Sequence, residues 1–142
     1  MKKAIKNIFV LSSLYLGWII GYSQVDNIDS LKRVVESQVI DTVKINTLNK
    51  LSNLLTQEGN FENSFKHAKS ALALAQKNKY EYGIASAEYN IGSFYHNINN
   101  HSEATQHYLI SLSRFNEIGY KKGIADSYYS IAQVYTGQEN YA

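Results

Sequence analysis

Like residues recur every forty positions through the C-terminal two-thirds of this chain, without a gap. Gly83-Ile84-Ala85 returns as Gly123-Ile124-Ala125, and Tyr89, Ile91 and Tyr95 return as Tyr129, Ile131 and Tyr135. His67 returns as His107, Leu72 as Leu112 and Tyr80 as Tyr120; one period earlier the columns of Tyr89, Ile91 and Tyr95 hold Asn49, Leu51 and Leu55. A fixed register of this length means one supersecondary unit copied and stacked, because a single unit cannot bury its apolar face alone. The spacing inside the unit is helical. Ile45, Leu48, Leu51 and Leu55 share one face, and Phe65, Ala68, Ala71, Leu72 and Ala75 share another. The absence of Pro suits long helices, since Pro removes an amide donor and clashes with the preceding turn.

The pattern predicts helix A of the first unit over residues 43–57 and helix B over 61–78. The second unit has helix A over 83–97 and helix B over 101–117. The third has helix A over 123–136, a turn near Gly137-Gln138, and then the end of the chain at Ala142. Gly59-Asn60 reads as a turn, with Gly as the left-handed residue that ends one helix and Asn as the cap of the next. Before the repeats, Ile28, Leu31, Val34 and Val35 predict a short amphipathic helix over 28–38, a cap for the first unit.

The first residues carry a different signal. Lys2, Lys3 and Lys6 precede the apolar stretch Ile8 to Ile20, and Gly21-Tyr22-Ser23 supplies small residues for a cut before Gln24. This is the layout of a secretory signal peptide, and the stretch is short of the roughly 20 residues that span a bilayer. An uncleaved N-terminal anchor is the alternative. The organisation read from sequence is thus signal peptide 1–23, capping helix and linker 24–42, and repeats 43–82, 83–122 and a truncated 123–142, in a protein exported to the periplasm or another extracytoplasmic space.

Charge then sharpens the partner class. The three early lysines are part of a total of 14 Lys and Arg, so 11 remain against 12 Asp and Glu after the signal. A near-neutral domain has nothing basic to track a phosphate backbone, so nucleic acid is not an expected partner. No Cys is present, which excludes disulfides, thiolate metal sites and cysteine catalysis.

The second unit carries Ile91-Gly92, then Tyr95, Ala104 and Tyr108. In these columns the chain resembles the tetratricopeptide repeat family, in a 40-residue form longer than the usual unit of about 34. The first unit has Ser52 and Ser64 in the small columns and the third has Ala132. Gly92 is expected to let helices A and B approach, with Ala104 as the small residue facing it, while Tyr95 and Tyr108 fill the wedge between hairpins. The fold class implied is all-α, a right-handed superhelical solenoid of antiparallel helix hairpins.

That resemblance also implies a concave face built from helix A. It would present Asn46, Asn49, Asn53 and Thr56, then Ser86, Tyr89, Ser93 and His96, then Asp126, Tyr129, Gln133 and Thr136. Asn49, Asn53, Tyr89, Ser93, His96, Asp126, Tyr129 and Gln133 are the candidate peptide-binding residues. Amides and Tyr can hydrogen-bond an extended backbone while rings pack on its side chains. The carboxylate clamp of some family members is not expected. Asn53 and Asn90 match its asparagine columns, but its basic columns hold Asn49, Asp126 and Ser130, so charge-assisted bonds are missing.

No catalytic constellation stands out. His67 and His107 are copies of one repeat position, and His96 and His101 are five apart across a turn, unlike the i,i+4 pair of a helical zinc site. There is no nucleophile elbow and no Gly-rich phosphate loop. No metal, cofactor or enzymatic activity is expected. The expected function is a non-catalytic, exported protein–protein interaction module with a protein or peptide partner. The alternative is the extracytoplasmic sensory segment of a larger signalling protein, with a histidine kinase, nucleotide cyclase or DNA-binding output beyond a membrane span. Helix A of the third unit has its apolar pattern (Ile124, Tyr128, Ile131, Tyr135) but no following helix B. The expectation is a chain that continues past Ala142 or an open edge that pairs with another chain.

Overall fold

The computed structural model describes residues 28–37 and 40–139. The expected signal segment, residues 1–23, lies outside the described residues, as does the end of the chain. Helix α1 covers residues 28–36. It is followed by α2 (Asp41–Gln57), α3 (Phe61–Lys77), α4 (Glu81–Asn97), α5 (His101–Glu117) and α6 (Lys121–Glu139). Among the described residues every regular element is helical. The helices pack consecutively, and the A-type helices α2, α4 and α6 also pack on one another. The result is an all-α, solenoid-like repeat.

The helices α2 to α5 are each 17 residues long and begin twenty residues apart. The forty-residue period is therefore two half-periods of equal length. One turn geometry recurs at every junction. The amide of Asn60 reaches the carbonyl of Leu55, Tyr80 that of Ala75, Asn100 that of Tyr95 and Tyr120 that of Phe115, at 2.8–2.9 Å. The residue before each of these amides bonds three positions back. This pair of bonds is the Schellman motif, which satisfies the last carbonyls of a helix and needs one left-handed residue. That residue is Gly59, Lys79, Asn99 and Gly119 in turn, with φ of 76°, 52°, 58° and 68°. Two of the four are not glycine.

The structure adjusts several local expectations. Helices α2, α4 and α6 start two residues before the predicted positions, because apolar periodicity marks the first buried residue and not the first hydrogen-bonded one. Helix α6 also runs through Gly137 to Glu139, with no turn at Gly137-Gln138. Gly137 occupies the column of Gln57 and Asn97, the last helical residues of α2 and α4; the left-handed column lies two positions later. Asn60 stands at the N-cap of α3, but its Oδ1 accepts from the side chain of Asn63 and not from a backbone amide. Asn100 does cap α5, accepting from the amide of Glu103.

Packing follows the column logic. In the first unit Ser52 and Ser64 meet across the hairpin, Oγ to Oγ at 3.0 Å, and both are fully buried. In the second unit Gly92 faces the Tyr108 ring: a Cβ at Gly92 would lie 2.8 Å from it. The partner of Gly92 is thus the aromatic ring of α5, where sequence pointed to Ala104. Tyr108 is buried in a cluster with Ala104 and Val134, with Tyr89, Tyr95 and Ile131 packed against it, so it joins α4, α5 and α6. Helix α1 lays Ile28 and Leu31 on Leu51 and Leu55, and Val35 on Leu48. Among the described residues no helix is long and apolar enough to cross a membrane.

Helix α6 buries Gly123, Ser127, Ser130 and Val134. Tyr128, Tyr129 and Tyr135 are 59%, 65% and 55% exposed. Tyr128 and Tyr135 share the columns of Glu88 and Tyr95, the α4 residues that meet His107 of α5. Their columns therefore face the next helix in a hairpin, whereas the Ser127–Val134 stripe faces the preceding unit.

Candidate functional site

The A-type helices line a groove of about 460 Å³. Helix α2 contributes Asn46, Asn49, Lys50 and Asn53 to it, and α4 contributes Tyr82, Ser86, Tyr89 and Asn90. Lys122, Gly123 and Asp126 of α6 close the far side, and Phe115 with Tyr120 forms the wall at the α5–α6 junction. Helical spacing puts residues three and four apart on one face, which is why Asn46, Asn49, Lys50 and Asn53 converge here.

Within the groove, polar groups divide into those that hold the helices together and those that face open space. Asn49 is buried and donates from Nδ2 to the carbonyl of Gly83 at 3.1 Å. Asn90, also buried, donates to the Asn49 carbonyl at 3.0 Å and lies 3.3 Å from its Oδ1. These two amides tie α2 to α4 and have little capacity left for a ligand. Tyr89 is similarly engaged. Its hydroxyl lies 2.9 Å from Ser130 Oγ, and its ring packs at 5.3 Å against Tyr108.

The exposed groups are Asn46, Lys50 and Asn53, with half-buried Ser86 between them and α6; the Asn46 amide also donates to the Tyr80 hydroxyl at 3.3 Å, which ties α2 to the α3–α4 turn. Asn53 Oδ1 accepts from Gln57, which leaves its own amide donors outward. Among the described residues Lys50 makes no ion pair, whereas Lys122 bonds Asp126 at 2.6 Å. That bond and the Asp126 charge hold the Lys122 ammonium pKa above its ordinary value. Three rings form the aromatic wall. Tyr82 meets Tyr120 edge-on at 5.2 Å and Phe115 at 6.1 Å. Burial, and then the neighbouring Tyr120 hydroxyl, push the Tyr82 phenol pKa up, so it stays a neutral donor and acceptor.

Of the residues expected to form the site, Asn49, Asn53, Tyr89 and Asp126 line this groove. Ser93, His96, Tyr129 and Gln133 lie elsewhere. Ser93 donates to the Tyr89 carbonyl and accepts from the Tyr108 hydroxyl. Tyr129 points to solvent and accepts from Gln133. Tyr89 and Tyr129 share a repeat column, yet the structure joins Tyr89 to Tyr108 and not to Tyr129. His96 stands at the opposite end of α4, beside His101.

Sequence reasoning missed Lys50, Tyr82, Phe115, Tyr120 and Lys122. One signal was available: Tyr80 and Tyr120 recur as the residue closing each B-to-A turn, which places a ring at the groove's edge. Lys50 and Tyr82 lie outside the helix positions used to draw the concave face. Among the described residues no group of three or more His, Cys, Asp or Glu could hold a metal. Comparison with protein-family models and with curated proteins finds no match.

Proposed function

We propose that this chain is a non-catalytic protein-binding module of the tetratricopeptide type, and that the α2–α4–α6 groove takes an extended peptide segment of a partner. The observation that carries this is the groove's composition. The outward amide of Asn53, and that of exposed Asn46 if it exchanges its bond to the Tyr80 hydroxyl, can pair with a peptide backbone, Tyr82 and Tyr120 offer ring faces for its side chains, and Lys50 supplies a cation with no ion pair among the described residues. The small columns at Ser52, Ser64 and Gly92 support the family assignment, as does the helix-hairpin repetition. Export through residues 1–23 belongs to the same reading and rests on sequence alone.

The test is selection of a displayed random-peptide library on the full chain, followed by fluorescence anisotropy with the enriched peptides. Lys50→Ala and Asn53→Ala, both at exposed positions, are expected to weaken binding at least tenfold together while the circular dichroism spectrum stays unchanged. Failure to enrich any peptide, or full binding by the double variant, would overturn the groove assignment.

A further inference from the structure

His96 and His101 are the one histidine pair that repetition does not explain. Their columns hold Thr56 and Phe61 in the first unit and Thr136 and Tyr141 in the third. In the structure the two rings come together across the α4–α5 turn, with centroids 6.1 Å apart and planes inclined by 52°. Both rings are half-buried. The Nδ1 atom of each is buried and meets no hydrogen-bond partner among the described residues. Neighbouring rings that each carry a buried nitrogen without a protein partner leave that nitrogen to a water or an ion, since buried polar atoms are nearly always satisfied by protein, water or an ion.

We propose that His96 and His101 form a bis-imidazole site for a borderline divalent transition-metal ion, of the class of Zn²⁺, Ni²⁺ or Cu²⁺. Imidazole nitrogens bind such ions at about 2.0–2.1 Å, so one ion holds two of them within about 4 Å of each other. The observed ring separation leaves room for that span. The short turn, closed by the amide of Asn100 on the carbonyl of Tyr95, fixes the spacing before any ion arrives. No carboxylate or thiolate completes a three-residue set here, so water or a group from a bound partner fills the remaining positions. The site lies away from the groove and does not depend on peptide binding.

The experiment is titration of the full chain with Cu²⁺, Ni²⁺ and Zn²⁺ separately, followed by calorimetry and by the histidine ring signals in NMR. One equivalent is expected to bind, tightest for Cu²⁺ by the usual order of divalent affinities. His96→Thr and His101→Phe, which install the first unit's residues, should each weaken binding at least tenfold. His101→Gln provides a second variant if Phe perturbs the hairpin, and His67→Gln with His107→Gln should leave binding intact. Absence of saturable one-to-one binding, or equal binding by the His96 and His101 variants, would overturn the site.

Discussion

The Tyr89 hydroxyl lies 2.9 Å from Ser130 Oγ, forty-one positions along the chain. The same separation joins Asn49 to Asn90. One repeat interface is thus made twice with different chemistry, an amide ladder between α2 and α4 and a hydroxyl pair between α4 and α6. Tyr89→Phe keeps the ring against Tyr108 and removes only the hydroxyl bond. Urea unfolding is expected to show a loss of about 0.5–1.5 kcal/mol. Ser130→Ala should cost a similar amount, and the double variant little more than either alone. Additive losses would show that the two hydroxyls do not act together.

Gly92 sets the closeness of α4 and α5. A methyl group there meets the Tyr108 ring at 2.8 Å, and the ring is locked between Tyr89 and Val134. Gly92→Ala gains helix propensity but overpacks the hairpin, and a net destabilisation of about 1–3 kcal/mol is expected in chemical denaturation. Wild-type stability in that variant would mean that Tyr108 can give way.

Lys79 holds a left-handed conformation that its neighbours at Gly59 and Gly119 adopt without a Cβ. That conformation costs a residue with a side chain about 1–2 kcal/mol, part of which glycine returns through the greater entropy of its unfolded chain. Lys79→Gly is therefore expected to raise stability by about 0.5–1 kcal/mol, and Gly119→Ala to lower it by a similar amount. Thermal unfolding of the two variants side by side checks both signs.

Histidine titration gives the fold a direction with pH. Burial, and then Lys66 and Lys32, hold the His67 pKa below 6.5; burial and His101 do the same for His96. The unfolded chain then binds more protons than the folded one in the window below about pH 6.5, so stability from these groups falls as pH falls. The thermal midpoint should drop between about pH 7.5 and pH 5.5, and less so in His67→Gln, which removes one of the titrating groups. An equal drop in that variant would assign the acid sensitivity elsewhere.

Much of this arrangement was legible in the sequence because the repeat constrains it. The columns of Leu51, Ile91 and Ala104 predicted buried positions, and Gly59 predicted a turn; the structure has all four there. What escaped was the direction in which polar residues spend their hydrogen bonds. Asn49 and Tyr89 read as groove residues from their helix positions, yet each donates or accepts across a repeat interface. A single column cannot distinguish a ligand contact from a helix tie, because both need a polar side chain on the concave side. The exposure of Tyr128 and Tyr135 was legible, because their apolar pattern marks a hairpin face and no patterned helix B follows it in the sequence.

The evenly spaced left-handed turns constrain how this fold can change in length. Every turn is interchangeable in shape, so removing twenty residues would leave all the junctions intact and still be ruinous. It would set a B-type face, with Tyr108 and Phe115, where an A-type face with Gly92 and Gly123 is required. Only an insertion or deletion of forty residues returns bulky to bulky and small to small. The chain has a backbone grammar of twenty and a side-chain grammar of forty, and the longer one governs which lengths can fold.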